Sequence, residues 1–267
     1  MSSELGTQLR GKTALVTGGS GGLGADFARI LAARGANLVL VARREDLLNT
    51  VRDEIASKHK VRVDIVVLDL GTSETPQELY DRLKGDGTTI DVLVNNAGFG
   101  LYGRFAELER ERQRSMLQLD ILALTHPTRL FVADMVGRKF GYVLHVASIG
   151  AFQPTPLYAT YSAAKAYVLS FGEALDYELR GTGVHSTVIA PGITATEFLK
   201  VSGQDSTLYQ RMTMMQSPAV ACIGIDAMLK GRSSVVSGTL NAVSAWSNRL
   251  IPRRVSASIA YRLMKSN

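Results

Sequence analysis

The chain has little of what builds a disulfide framework, a metal centre or a membrane span. A single cysteine, Cys222, among 267 residues excludes an internal disulfide and argues against a cysteine-based metal site. Its expected place is that of a small buried hydrophobe. The four histidines, His59, His126, His145 and His185, are scattered without ligand spacing. No run of about eighteen apolar residues is present. The opening MSSELGTQLR lacks the apolar segment of a secretory signal, so a cytoplasmic protein is expected. No internal repeat or low-complexity linker interrupts the chain. At 46% hydrophobic residues it is long enough to bury one large core, and one domain over 1–267 is expected.

The net charge of +6 raises the question of an anionic partner. Basic residues are distributed along the chain without the aromatic interleaving used for single-stranded nucleic acid, so nucleic acid is not an expected partner. In the tail, about 240–267, Val255, Ile259 and Leu263 share one helical face while Arg253, Arg254, Arg262 and Lys265 lie elsewhere. Packing of that face on the protein or a neighbouring subunit is expected, with peripheral membrane contact as the alternative.

What is present is an alternation. Seven apolar, strand-like runs (TALVT, NLVLVA, RVDIVVLDL, IDVLVNNA, YVLHVAS, VHSTVIAPG and SSVVSG) are separated by helical stretches. This pattern predicts an α/β, doubly wound parallel sheet of Rossmann type. The first run leads into GGSGGLG and then ADFARILAARGA, a strand, glycine turn and amphipathic helix closed by Gly35. Glycine there permits positive φ and lets backbone N–H groups approach a pyrophosphate at the positive helix end.

Ser148 follows the run YVLHVAS, and Tyr161 and Lys165 come thirteen and seventeen residues later. If the segment from Leu157 is helical, the tyrosine and lysine are i, i+4 neighbours on one face. The ammonium is then expected to draw the phenol's pKa down from its usual value of about 10, toward that of a working general acid. Tyr80 with Lys84 and Tyr261 with Lys265 have the same spacing but no serine or strand upstream, and read as ordinary helix surfaces.

With these motifs, and with Asn95 to Gly98 (NNAG) and Pro191-Gly192, the chain resembles the short-chain dehydrogenase/reductase family nearly end to end. The resemblance implies an NAD(P)-dependent oxidoreductase with Ser148, Tyr161 and Lys165 as catalytic residues. It places the cofactor on Gly18, Ser20, Gly22, Leu23 and Gly24, with Asp69 at the adenine and Asn96, Ala97 and Gly98 along the adenosine ribose side. It adds Tyr161 and Lys165 at the nicotinamide ribose, and Pro191, Gly192, Ile193 and Thr194 near the nicotinamide. It also implies dimers or tetramers. One position departs: Asp120 stands where the family has an asparagine that holds a relay water, and no asparagine occurs between Asn96 and Asn241. Aspartate still accepts hydrogen bonds but adds charge and loses two donors.

The second strand ends VLVARRED, with Ala42 where an acid would select NAD and with Arg43 and Arg44 following, so NADP(H) is the expected cofactor. Phe99, Leu101, Phe105, Phe152, Pro154, Leu157 and Phe198 are candidates to line an apolar pocket. Residues about 197–217, with Met212, Met214 and Met215, read as a mobile lid for a small-molecule carbonyl or alcohol of lipid-like, steroid-like or aromatic character. Two further readings stay open: an NADP-binding regulatory or scaffold protein, which Asp120 motivates, and an epimerase or dehydratase, since the turn also reads TGxxGxxG through Gly21.

Overall fold

The computed structural model describes residues 8–72 and 74–265. Its main sheet has seven parallel strands in the order β3-β2-β1-β4-β5-β6-β9. These are β1 (Thr13–Thr17), β2 (Asn37–Ala42), β3 (Val63–Val67), β4 (Val92–Asn95), β5 (Gly141–Val146), β6 (Val184–Ala190) and β9 (Ser234–Val236). Six of the seven fall inside the apolar runs, and β5 begins one residue before its run, at Gly141. A parallel sheet needs a crossover between successive strands, and helices here cover both faces, which is why the strands read as continuous apolar runs.

Period-2 geometry divides each run between two cores. Ala14, Val16, Leu38, Leu40, Val92 and Val94 enter one core with Phe27 and Leu31 of α1 (Gly22–Ala33) and Ile225 and Met228 of α9 (Ser217–Leu229). Leu15, Val39, Val41 and Leu93 enter the other with Leu79 of α3 (Thr75–Gly85) and Phe131 and Met135 of α5 (Ala123–Arg138). Phe27 is fully buried, and its truncation to alanine should cost about 3–5 kcal/mol.

From β1 the chain winds outward through α1, β2, α2 (Glu45–Lys58) and β3, then returns past β1 to β4 and winds the other way. The order reverses between β1 and β4, so their carboxyl ends open a crevice where α/β sheets take ligands. The fold is a Rossmann fold, as the alternation predicted.

Between α4 (Arg110–Leu117) and α5 lies a π-helical turn, Gln118–Leu122, which holds Asp120. Wide turns of this kind are often found at functional sites. After β5, a short 3₁₀ turn (Ile149–Phe152) precedes α6 (Ala159–Glu178), whose start is later than the sequence led us to expect, because Leu157 sits at φ +70°. After β6 come β7 (Thr194–Ala195), α7 (Phe198–Ser202), α8 (Leu208–Thr213) and β8 (Met215–Gln216), with β7 paired to β8. The tail forms α10 (Thr239–Ser247) and α11 (Arg253–Met264).

One expectation fails. Cys222 is exposed, because α9 turns Val220, Ala221 and Ile225 inward and the cysteine outward. In α11 the packed face carries Ser256, Ala260 and Met264, while Val255 and Ile259 are exposed. Of the expected apolar face, Val255 turns outward, whereas Ile259 and Leu263 also reach an internal cavity wall.

Candidate active site

The glycine turn between β1 and α1 is shaped for a phosphate group. Gly18 and Gly22 have φ +68° and +51°. A Cβ at Gly24 would run into the Gly18 carbonyl and the Asn96 amide. Helix α1 has no side-chain cap and no acid in its first turn, so its leading N–H groups and positive end remain available to an anion. Thr17 ties this turn to the segment after β4. Its Oγ1 donates to the Val94 carbonyl at 3.2 Å and accepts from the N–H groups of Asn96 and Ala97 at 3.0 Å each. The Asn96 side chain donates back to the Thr17 carbonyl at 2.9 Å, so it braces the turn.

Arg43 and Arg44 follow β2 at the rim. Arg43 pairs with Asp69 at 3.6 Å and Arg44 with Glu197 at 3.5 Å. These exposed pairs contribute little to stability. Glu197 lies beyond β7, so that pair spans the groove over the glycine turn. A dinucleotide fits here: open N–H groups for the pyrophosphate, two guanidinium groups where the adenosine ribose would end, and Pro191 to Thr194 on the far side of the same cavity.

That cavity is about 740 Å³ and continues to Ser148, Tyr161 and Lys165. Ser148 sits just past β5, where its Oγ accepts from the Gly150 N–H at 3.1 Å, and its hydroxyl also hydrogen-bonds the Tyr161 phenol. Tyr161 and Lys165 lie in the first two turns of α6 on one side, with the Lys165 Nζ 5.6 Å from the centre of the Tyr161 ring. Lys165 Nζ donates to the Val146 carbonyl at 3.2 Å and lies 3.6 Å from Asp120 Oδ2. Asp120 Oδ1 accepts from the Phe99 N–H at 3.1 Å, while Oδ2 is buried without a hydrogen-bond partner. Gly98 must lack a side chain, because a Cβ there would collide with Asp120 Oδ1.

Electrostatics here differ from the local expectation. Burial pushes the Tyr161 phenol well above its usual range, the Asp120 carboxylate adds to that rise, and the hydrogen bond from Ser148 opposes it. Lysine is not the phenol's only neighbour: Phe198, 5.2 Å away ring to ring, and Tyr158, at 5.8 Å, help to cover it. Burial likewise raises Asp120, against the pull of Lys165 and of the Phe99 N–H.

The chain resembles known proteins over most of its length. The family described as short chain dehydrogenase matches residues 12–207. The chain belongs to this family of oxidoreductases. A very-long-chain 3-oxoacyl-CoA reductase of Phaeosphaeria nodorum is 35% identical over 196 residues, 72% of this chain and 58% of that protein. The chain thus aligns with somewhat over half of that relative's length. A Bos taurus protein of the same name is 31% identical over 264 residues, 96% of this chain and 83% of its own. Among solved structures, a short-chain dehydrogenase from Sphingobium yanoikuyae in complex with NADPH superposes with a TM-score of 0.80 at 26% identity, over 90% of this chain and 94% of that one.

For a member of this short-chain dehydrogenase family, the pocket is lined differently from the sequence reading. Of the seven apolar candidates only Phe99 and Phe198 reach the cavity, and Phe105 is exposed. The segment 197–217 lines it through Glu197, Phe198, Leu199, Val201, Tyr209 and Gln210, whereas Met212 points to solvent and Met215 packs against Gly238 and Asn241. Missed altogether were Tyr158 and the tail residues Ile259 and Leu263. Tyr158, three residues before Tyr161, was within reach of the same helical argument. The tail's helical periodicity marked Ile259 and Leu263 as a packing face but not as a pocket wall.

The other Tyr-x-x-x-Lys pairs do not line the cavity. Tyr80 and Lys84 both donate to Asp134 Oδ2, at 3.0 and 2.6 Å, away from the cavity. Lys265 lies just past the end of α11 and is exposed.

Proposed function

We propose that the protein is an NADP(H)-dependent carbonyl reductase, or alcohol dehydrogenase in reverse, that acts on an apolar ketone of the long-chain 3-oxoacyl type. The observation that carries this reading is the meeting of Ser148, Tyr161 and Lys165 in one cavity with the glycine turn, Arg43 and Arg44.

When bound, NADPH supplies a hydride to the substrate carbonyl carbon. Gly18, Ser20, Gly22, Leu23 and Gly24 would hold the pyrophosphate side, and Arg43 and Arg44 the 2′-phosphate by charge-assisted bonds. Asp69 would face the adenine, and Ile193 and Thr194 the nicotinamide amide. The Ser148 and Tyr161 hydroxyls donate to the substrate oxygen as negative charge develops there. Tyr161 then releases its proton to that oxygen. The Lys165 ammonium, fixed by the Val146 carbonyl, offsets the phenolate charge that results. Asp120 stands behind Lys165 and accepts hydrogen bonds on the path by which Tyr161 regains its proton.

An apolar substrate is supported by the cavity wall, where Phe99, Phe198, Leu199, Ile259 and Leu263 stand, and by the names of the 3-oxoacyl-CoA reductases to which the chain is similar. The test is NADPH oxidation, with NADH in parallel, against ketones, aldehydes and 3-oxoacyl thioesters of increasing chain length. Turnover rising with acyl length is expected. Preference for short polar carbonyls would overturn the substrate class.

A further inference from the structure

Basic residues occur throughout the chain, but the excess does not. Residues 227–267 hold seven Lys and Arg and no Asp or Glu, which leaves 23 basic against 24 acidic residues in the rest. The whole net charge of +6 therefore belongs to the segment that forms β9, α10 and α11.

The same segment exposes large apolar side chains. Leu240, Val243 and Trp246 recur every three residues along α10, on the side away from the buried Asn241 and Ala245. Leu240 is 78% exposed, Trp246 59% and Leu250, in the following turn, 71%. Val255 and Ile259 continue the apolar surface on α11 beside Arg254 and Arg262. Isolated exposed aliphatics need no explanation, but a run of this kind marks an interaction surface.

From these observations we infer that α10 and α11 dock the protein on an anionic lipid surface. An amphipathic helix that lies in a membrane interface combines an apolar face with flanking Lys or Arg, and tryptophan favours that depth. The arginines complement acidic headgroups. A second copy of this chain would bring an identical cationic patch against the first, so charge disfavours it as the occupant. The surface also adjoins the cavity: Ser244, Asn248, Ile259 and Leu263 line it from inside, and Ile259 and Val201 are at once cavity-lining and exposed. The part of the cavity rim formed by Val201 and Ile259 is apolar and borders the docking face, which gives a membrane-dissolved substrate a route into the cavity on that side. Hydrogen bonds keep this wall in place, from Gln204 Nε2 to the Met264 carbonyl at 2.6 Å and from Ser256 Oγ to Asn248 Oδ1 at 2.6 Å.

Trp246 is the only tryptophan, so its fluorescence reports on this surface alone. The full chain is mixed with phosphatidylcholine vesicles, with and without phosphatidylserine, and followed by emission wavelength and co-sedimentation. A blue shift and pelleting with the anionic vesicles, both weakened by salt, are expected. With about fivefold in partition per basic residue, Arg253→Glu combined with Arg254→Glu should lower binding by at least roughly tenfold. Leu240→Ser should lower it without changing the melting temperature. Absence of a shift and of pelleting with anionic vesicles would overturn the proposal, as would binding that the double charge reversal leaves intact. A concentration-dependent rise in mass without vesicle binding would assign the patch to a second copy and overturn it equally.

Discussion

Asp120 Oδ2 lies 3.6 Å from Lys165 Nζ in the interior, with neither side chain more than 7% exposed. The carboxylate, whose pKa burial raises, also pushes up that of Tyr161. Alcohol oxidation requires the deprotonated phenol, so its rate should climb with pH as Tyr161 loses its proton. In Asp120→Asn the negative charge is gone, the Tyr161 pKa falls, and this rising limb should move to lower pH with turnover kept or improved. Asp120→Leu cannot accept from the Phe99 N–H and should lose much of the activity. A pH series of kcat for the three forms decides the matter. Superimposable profiles would place Asp120 outside the relay, and inactivity of the native protein on every carbonyl would favour a non-catalytic, NADP-binding role.

The proton donor can be tested against its look-alikes. Tyr161→Phe should reduce kcat by roughly 100-fold or more while NADPH binding, read by cofactor fluorescence, persists. Tyr80→Phe and Tyr261→Phe should leave the chemical step nearly unchanged. Near-native turnover by Tyr161→Phe would remove the phenol from the mechanism.

Cofactor choice rests on Arg43 and Arg44. A charge-assisted bond contributes about 1.5–3 kcal/mol, so NADPH should be preferred over NADH by at least about tenfold in kcat/KM. Arg43→Ala should raise the KM for NADPH and leave that for NADH almost unchanged. Because Arg44 is paired with Glu197 across the groove, Glu197→Gln should free that guanidinium and tighten NADPH binding modestly. Equal use of the two cofactors by the native protein would contradict the assignment.

His145 predicts an acid limit to stability. Burial lowers its pKa from 6.5 to about 3, and its Nδ1 accepts from Asn95 Nδ2 at 3.2 Å. Below pH 6.5 the unfolded chain takes up a proton that the folded chain refuses, so stability should fall with pH from about 6.5 toward 3. The slope from this one group approaches about 1.4 kcal/mol per pH unit. Urea midpoints measured from pH 7 to 4 should decline more gently for His145→Asn, which keeps an acceptor near Asn95 but does not titrate. Parallel declines for the two proteins would show that other groups set the acid limit.

The sequence by itself determined what depends on short separations. A strand covered on both faces must be apolar along its length, so the seven runs marked the sheet before any contact was known. The glycine turn, its strand and its helix are contiguous, and Tyr161 and Lys165 share a face because helical spacing puts them there. Tertiary structure decided the rest. Whether a phenol is buried depends on Phe198 and Tyr158 closing over it, so a lysine four residues away did not fix the direction of its pKa. The partners of Arg43 and Arg44 come from other loops, which no local pattern reveals. Most of the expected pocket residues point elsewhere, while α11 enters the cavity wall through Gln204, sixty residues from Met264. Alternation and helical spacing are properties of neighbouring residues along the chain. Enclosure of the site, and the charge that each group meets inside it, exist only once distant segments pack together.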